Sequence, residues 1–110
     1  MEMEDTTFVM KKYYLCFYVK GPNQNQTATE VMDLQVAHLD HIQKMAKAGK
    51  VVISGPLEVS KTDRMRGVLI FDTETQEEAE SWVCQDPMVR ISRLEYEIYP
   101  WWAAKGSILP

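Results

Sequence analysis

The chain is short of most features that would announce a function at once. Its two cysteines, Cys16 and Cys84, lie far apart and match no metal or redox spacing. Such usage fits reduced thiols, and the expected location is cytoplasmic. Five glycines and five prolines in 110 residues are too few for a low-complexity or collagenous chain. The only adjacent basic residues are Lys11 and Lys12, and the formal net charge is −4. Nucleic-acid binding, which needs clustered Lys and Arg, is therefore not expected. No apolar run approaches the roughly 20 residues of a membrane helix, so no membrane partner is expected either. The opening MEMEDTTF is acidic, unlike a signal or transit peptide. No G-x-S-x-G, P-loop or G-x-G-x-x-G occurs, which removes the common hydrolase-elbow and nucleotide-binding signatures.

What remains is ordinary globular composition, 45% hydrophobic and 25% charged, in a length that suits one domain. That domain is expected over residues 10–102. Residues 1–9 form a polar lead-in and 103–110 a tail. Residues 11–19, KKYYLCFYV, are rich in aromatic and β-branched residues and predict a strand. GPNQNQ at 21–26 breaks it. Over 29–48 the apolar positions Val31, Leu34, Ile42 and Met45 recur at helical spacing, and Gly49 ends the run. VVIS at 51–54 and GVLIFD at 67–72 predict two further strands. Thr75 and Glu78 have capping-box spacing and open a second helix, which must stop before Pro87. RLEYEIY at 93–99 is the last strand.

The order β-α-β-β-α-β is that of a ferredoxin-like α+β domain. Two helices cover one face of its four-stranded sheet. The first strand is nonetheless apolar on both faces, with Tyr13, Leu15 and Phe17 opposed to Tyr14, Cys16 and Tyr18. The third strand repeats this with Val68 and Ile70 against Leu69 and Phe71. The helix-free face then needs a cover. A second copy of the sheet supplies one, giving a homodimer. The alternative is a tail carrying Trp101 and Trp102 that folds back over the sheet.

Only two side chains are obvious candidates for proton chemistry: His38 and His41, both on the first helix. At about 100° per residue His38 falls in the apolar stripe and His41 at its edge beside Leu34. His38 is thus either a core histidine bonded to a backbone carbonyl or a general acid/base at the floor of a pocket. Their i, i+3 spacing shares a face, but no third ligand has recognisable spacing, so no metal site is expected. Asp86-Pro87 and Ser54-Gly55-Pro56 each read singly as turns.

In combination these segments say more. AHLDHIQKMAKAGK, then VVISGPL, then GVLIFDTETQEEAESWVCQDPMV, then EYEIYPW resemble the YCII-related (YciI-like) proteins over residues 12–101. The resemblance implies a dimeric α+β barrel built from two ferredoxin-like βαββαβ chains. It also implies a His-Asp dyad in a cleft, at His38 and Asp86, with Ser54 near the same cleft. The loop at 20–28 and the tail beyond Trp101 depart from the family pattern. In the implied chemistry Asp86 fixes the imidazole tautomer and His38 removes and returns a proton. The pair should be partly buried, in a cavity bounded by residues such as Tyr14, Tyr18 and Ser54. The expectation is a cofactor-free lyase, isomerase or dehydrohalogenase acting on a small organic molecule. Two other readings stand beside it: a small-molecule-binding or sensory module without turnover, and a structural dimer whose histidines are core residues.

Overall fold

Alternating aromatic and aliphatic residues make the first strand the centre of the sheet. In the computed structural model, which describes residues 9–106, β1 spans Met10–Lys20. It pairs antiparallel with β3 (Met65–Phe71) on one side and β4 (Leu94–Ala104) on the other. The short β2 (Val51–Pro56) closes the sheet in the order β2-β3-β1-β4. This is the arrangement the element order predicts. The polar lead-in at 1–8 and the last four tail positions lie outside the described residues.

The long helix α1 runs Ala28–Lys47. Thr27 caps it: its hydroxyl accepts from the Glu30 N–H, and the Glu30 carboxylate accepts from the Thr27 N–H. At the other end Gly49 takes φ +74°, and the N–H groups of Gly49 and Lys50 reach back to the carbonyls of Ala46 and Met45. Those bonds satisfy carbonyls the helix would otherwise strand, and glycine adopts the left-handed turn without a Cβ penalty. A second helix, α2, spans Gln76–Val83 behind a Thr75 cap. The sequence reading misses a third: Pro87–Arg90 form one helical turn, α3, capped by Asp86. Proline at its first position loses no hydrogen bond, because that N–H has no helical partner in any case.

The core lies between the helices and one sheet face. Cys16, Leu69, Phe71, Met45, Ala79 and Val83 are fully or almost fully buried there. Burial pushes the Cys16 thiol up to about 12, so it behaves as a small apolar residue. The other sheet face carries Tyr13, Leu15, Phe17, Val68, Ile70, Tyr99 and Trp101, brought side by side by the register. Tyr99 and Trp101 are 51% and 41% exposed on it.

The described part of the tail does not fold back over that face. Residues 101–104 continue β4, with Trp101 opposite Tyr13 and Trp102 opposite Lys12. β1 leaves β3 at Tyr14, so Met10–Tyr13 and Trp101–Ala104 project as a two-stranded ribbon. The indoles are held by cross-strand pairing, including a Tyr13–Trp101 ring contact at 6.5 Å. No helix among the described residues is long and apolar enough to cross a membrane.

The 21–26 loop is docked, not loose. Gly21 N–H donates to the Arg93 carbonyl and Asn23 N–H to that of Ser92, while the Gln24 amide bridges the carbonyls of Gly21 and Arg93. A Cβ on Gly21 would sit 2.1 Å from the Ser92 carbonyl oxygen. Gly21→Ala is therefore expected to cost about 1–3 kcal/mol by overpacking. Gly55→Ala, with nothing within 4 Å, should stay within about 0.5 kcal/mol. Urea unfolding of the two variants checks this; equal midpoints would show that the loop contact carries no stability.

Candidate functional site

The first helix presents its two histidines to different neighbours. His41 is buried, with Nε2 2.8 Å from the Trp82 carbonyl oxygen. It is the core histidine bonded to a backbone carbonyl, the position the helical stripe offered to His38. His38 sits one turn earlier and points toward the start of α3. Its Nδ1 lies 2.5 Å from Asp86 Oδ2, so the two candidates named from sequence are in direct contact.

Asp86 is held from several sides. It follows the end of α2, takes an extended conformation and caps α3, its Oδ1 accepting from the Met88 N–H at 2.9 Å. Its Oδ2 accepts from the Tyr18 hydroxyl at 2.8 Å as well as from His38. The carboxylate is fully buried while the His38 side chain keeps 12% exposure. The pair is thus more enclosed than its sequence positions suggest, because α3 and β1 seal the acid from behind. Burial, reinforced by the neighbouring Asp86 charge, drives the Tyr18 hydroxyl far above its ordinary pKa. Tyr18 therefore stays a donor across the working pH range. Its ring meets the imidazole edge-on at 5.2 Å.

This geometry fixes which nitrogen is free. A carboxylate offers only acceptors, so the neutral imidazole carries its proton on Nδ1 and leaves the Nε2 lone pair open. No described residue bonds Nε2, and no described buried side-chain nitrogen or oxygen lacks a partner, so Nε2 is reached from solvent.

The ring borders a cleft with two lobes. The inner lobe, about 270 Å³, has Tyr18, Leu39, Ser54, Pro56, Leu69 and Leu94 on its walls. The outer lobe, about 490 Å³, opens between the 21–26 loop and the β2–β3 connection. His38, Gln35, Pro56, Arg66 and Leu94 border both. Ser54 is thus on the cleft wall without a bond to His38. Tyr18 is both wall and support for Asp86.

Tyr14 is elsewhere. It shares a sheet face with Tyr18 but lies about 13 Å further along the strand. There it is buried opposite Phe71 and does not reach the cleft. A shared face does not make a shared site. The loop at 20–28 does shape the pocket, contributing Lys20 and Gln24 to the outer lobe.

Arg66 was not singled out from the sequence. Strand alternation gives no reason to aim it at the helix side. The structure shows why it points there: β1 steps from Tyr18 to Val19 while β3 steps from Gly67 to Met65, leaving Arg66 as the extra residue of a β-bulge. Bulges re-aim side chains. Gln35 had a usable signal, being one helical turn before His38 on the same face.

The site can be set beside known proteins. Comparison with curated proteins finds no match. Among solved structures the chain is similar to 5-chloro-2-hydroxyhydroquinone dehydrochlorinase (TftG) from Burkholderia phenoliruptrix AC1100, a structure in complex with 2,5-dihydroxybenzoquinone. The TM-score is 0.61 at 21% identity, covering 81% of this chain and 92% of that one. At that identity the likeness speaks for the fold. The sequence itself matches the model of the YCII-related domain over residues 13–102, nearly all of the described chain, and the protein belongs to the YCII-related family.

Proposed function

We propose that this protein is a lyase or isomerase, in the elimination case a dehydrohalogenase, that moves a proton on a small organic substrate. The observation that carries the reading is the imidazole clamped at Nδ1 by a buried carboxylate, with Nε2 open to a cleft. His38 Nε2 takes a proton from substrate carbon. The freed electron pair forms a new π bond. In elimination the leaving group departs with its bonding pair; in isomerisation the imidazolium returns the proton at another atom. Asp86 touches no substrate: it orients the ring and stabilises the imidazolium. No electron acceptor enters this balance. The dehydrochlorinase of the same fold supports the elimination version, and the apolar inner lobe suits an aromatic or quinol-like body. Free thiols at Cys16 and Cys84 suit a cytoplasmic enzyme.

The working form in this reading is a homodimer, the dimeric α+β barrel. The support is the contiguous apolar face of Leu15, Phe17, Val68, Ile70 and Tyr99, which the described chain leaves without a covering layer. A face of that size marks an interface more often than a free surface. The projecting ribbon with Trp101 lies at its end.

Two measurements test these readings. Proton–deuterium exchange and halide release are followed by NMR on halogenated hydroquinones and enolisable keto acids. His38→Ala should stay folded, losing about 1–3 kcal/mol because Asp86 gives up one donor. Its turnover should fall by about 10²–10⁴-fold. If the wild type is no faster than the variant on any of these compounds, a ligand-binding module without turnover takes its place. Light scattering at micromolar concentration should give twice the chain mass, and Phe17→Lys should give one chain mass. A monomeric wild type would remove the dimer.

A further inference from the structure

Resting on that reading of the His38 cleft, we propose that the cleft selects small anions. Arg66 would hold the anionic oxygen of the substrate beside His38.

The first observation is the distribution of charge. The chain is acidic overall, at −4, yet the outer lobe is bordered by Lys20, Lys61, Arg66 and Arg93, and neither lobe has Asp or Glu in its wall. Asp86 lies behind His38 and Tyr18, fully buried. Apart from the His38–Asp86 pair itself, the ion pairs of the described residues lie elsewhere, at Lys11–Asp72, Lys50–Glu78 and Arg64–Glu97. None of the four cleft cations is in one.

The second observation is how Arg66 is held. Its Nη1 donates to the Ser60 carbonyl, and its Nη2 to those of Lys61 and Asp63, at 2.6–3.3 Å. Carbonyls fix a guanidinium in place without neutralising it. The nearby Asp63 carboxylate accepts from the Ser60 N–H and hydroxyl instead. Of the five guanidinium N–H groups, three are thereby used and two remain to donate. The bulge in β3 turns the side chain to the boundary of the two lobes, which His38 also borders.

Together these place a rigid, uncompensated cation across the cleft from a free imidazole nitrogen, above an apolar lobe lined by Leu39, Ile42, Leu69 and Leu94. The complementary ligand has a compact apolar body and one anionic oxygen, such as an aromatic carboxylate, a phenolate or an enolate. When His38 removes a proton from carbon, negative charge gathers on a conjugated oxygen. A fixed cation at that oxygen favours the charged state over the neutral one.

Benzoate and its neutral near-isostere benzamide are the probes, titrated into the full-length protein and followed by NMR. Benzoate should shift signals of the His38, Arg66 and Leu94 neighbourhood and bind at least about tenfold more tightly than benzamide. Raising salt from about 0.05 M to about 0.5 M should weaken benzoate alone. Arg66→Gln should bring benzoate down to the benzamide level. Because that variant also removes the donor to three loop carbonyls, Lys20→Gln, which holds no loop carbonyl, is the second arm and should weaken benzoate a few-fold. Equal binding of the two probes, no benzoate binding, shifts confined to another surface, or unchanged affinity in both variants each overturn the proposal. His38→Asn separates the two ideas. Benzoate preference retained with proton exchange lost supports both. Preference retained where even the wild type shows no exchange leaves the anion cleft standing without proton transfer.

Discussion

One buried carboxylate organises this end of the molecule. Asp86 receives a hydroxyl from β1, an imidazole from α1 and a backbone N–H from α3. A carboxylate with no exposure is tolerated only where such donors converge, since desolvation would otherwise cost several kcal/mol. Each donor therefore depends on the others being in place. Tyr18 can leave its hydroxyl in the core because Asp86 accepts it. His38 keeps one tautomer for the same reason. The short helix α3 starts where it does because the same side chain caps it. The preorganised imidazole follows from a requirement the fold must meet in any case, that of satisfying a buried acid.

The elements were legible in the sequence to the extent that local periodicity governs them. Strand alternation at 13–19, the helical stripe from Val31 to Met45 and the Thr75 cap all express physics that acts within a few residues. The tail at 101–104 was not legible as strand, because Pro100 and two adjacent indoles break the pattern and only pairing with Met10–Tyr13 makes them β. The helix α3 is too short for a period to show. The stripe also ranked the two histidines in the wrong order, since His41 at its edge is the buried one and His38 the one that borders the cleft. His38 and His41 differ by one turn, and which ring meets a carbonyl or a carboxylate is decided by α2 and α3 packing from outside the helix. The meeting of His38 with Asp86 came from family resemblance in the sequence, and geometry supplies its physical content. Tyr14 shows the limit of face-based reasoning: alternation assigns a side, not a distance along it.

The sheet divides its work between its faces. The helix-covered face holds the close-packed core and, at its open end, the cleft. The other face is equally apolar but ends in half-exposed rings, Phe17 against Tyr99 and Tyr13 against Trp101. Charges are placed accordingly. Arg64 and Glu97 pair at the rim of the uncovered face, whereas the two arginines at the cleft are held by carbonyls and an amide. Arg93, for example, donates to the Gln26 side chain. Neutral partners position a cation and leave its field intact, and a carboxylate in the same place would cancel it.

The β-bulge at Arg66 shows how a local irregularity can re-aim one side chain. In a regular ladder Arg66 would share a face with Val68 and Ile70, on the helix-free side of the sheet. There its charge would interrupt an apolar surface. The one-residue slip against β1 instead lets Gly67, Leu69 and Phe71 keep the core register while Arg66 reaches the cleft. Gly67 is the neighbour this requires: a Cβ there would approach the Gly55 carbonyl oxygen to 3.2 Å. The irregularity breaks one regular step of the ladder between β1 and β3. It is accounted for if the position of the guanidinium opposite His38 matters more than an unbroken ladder.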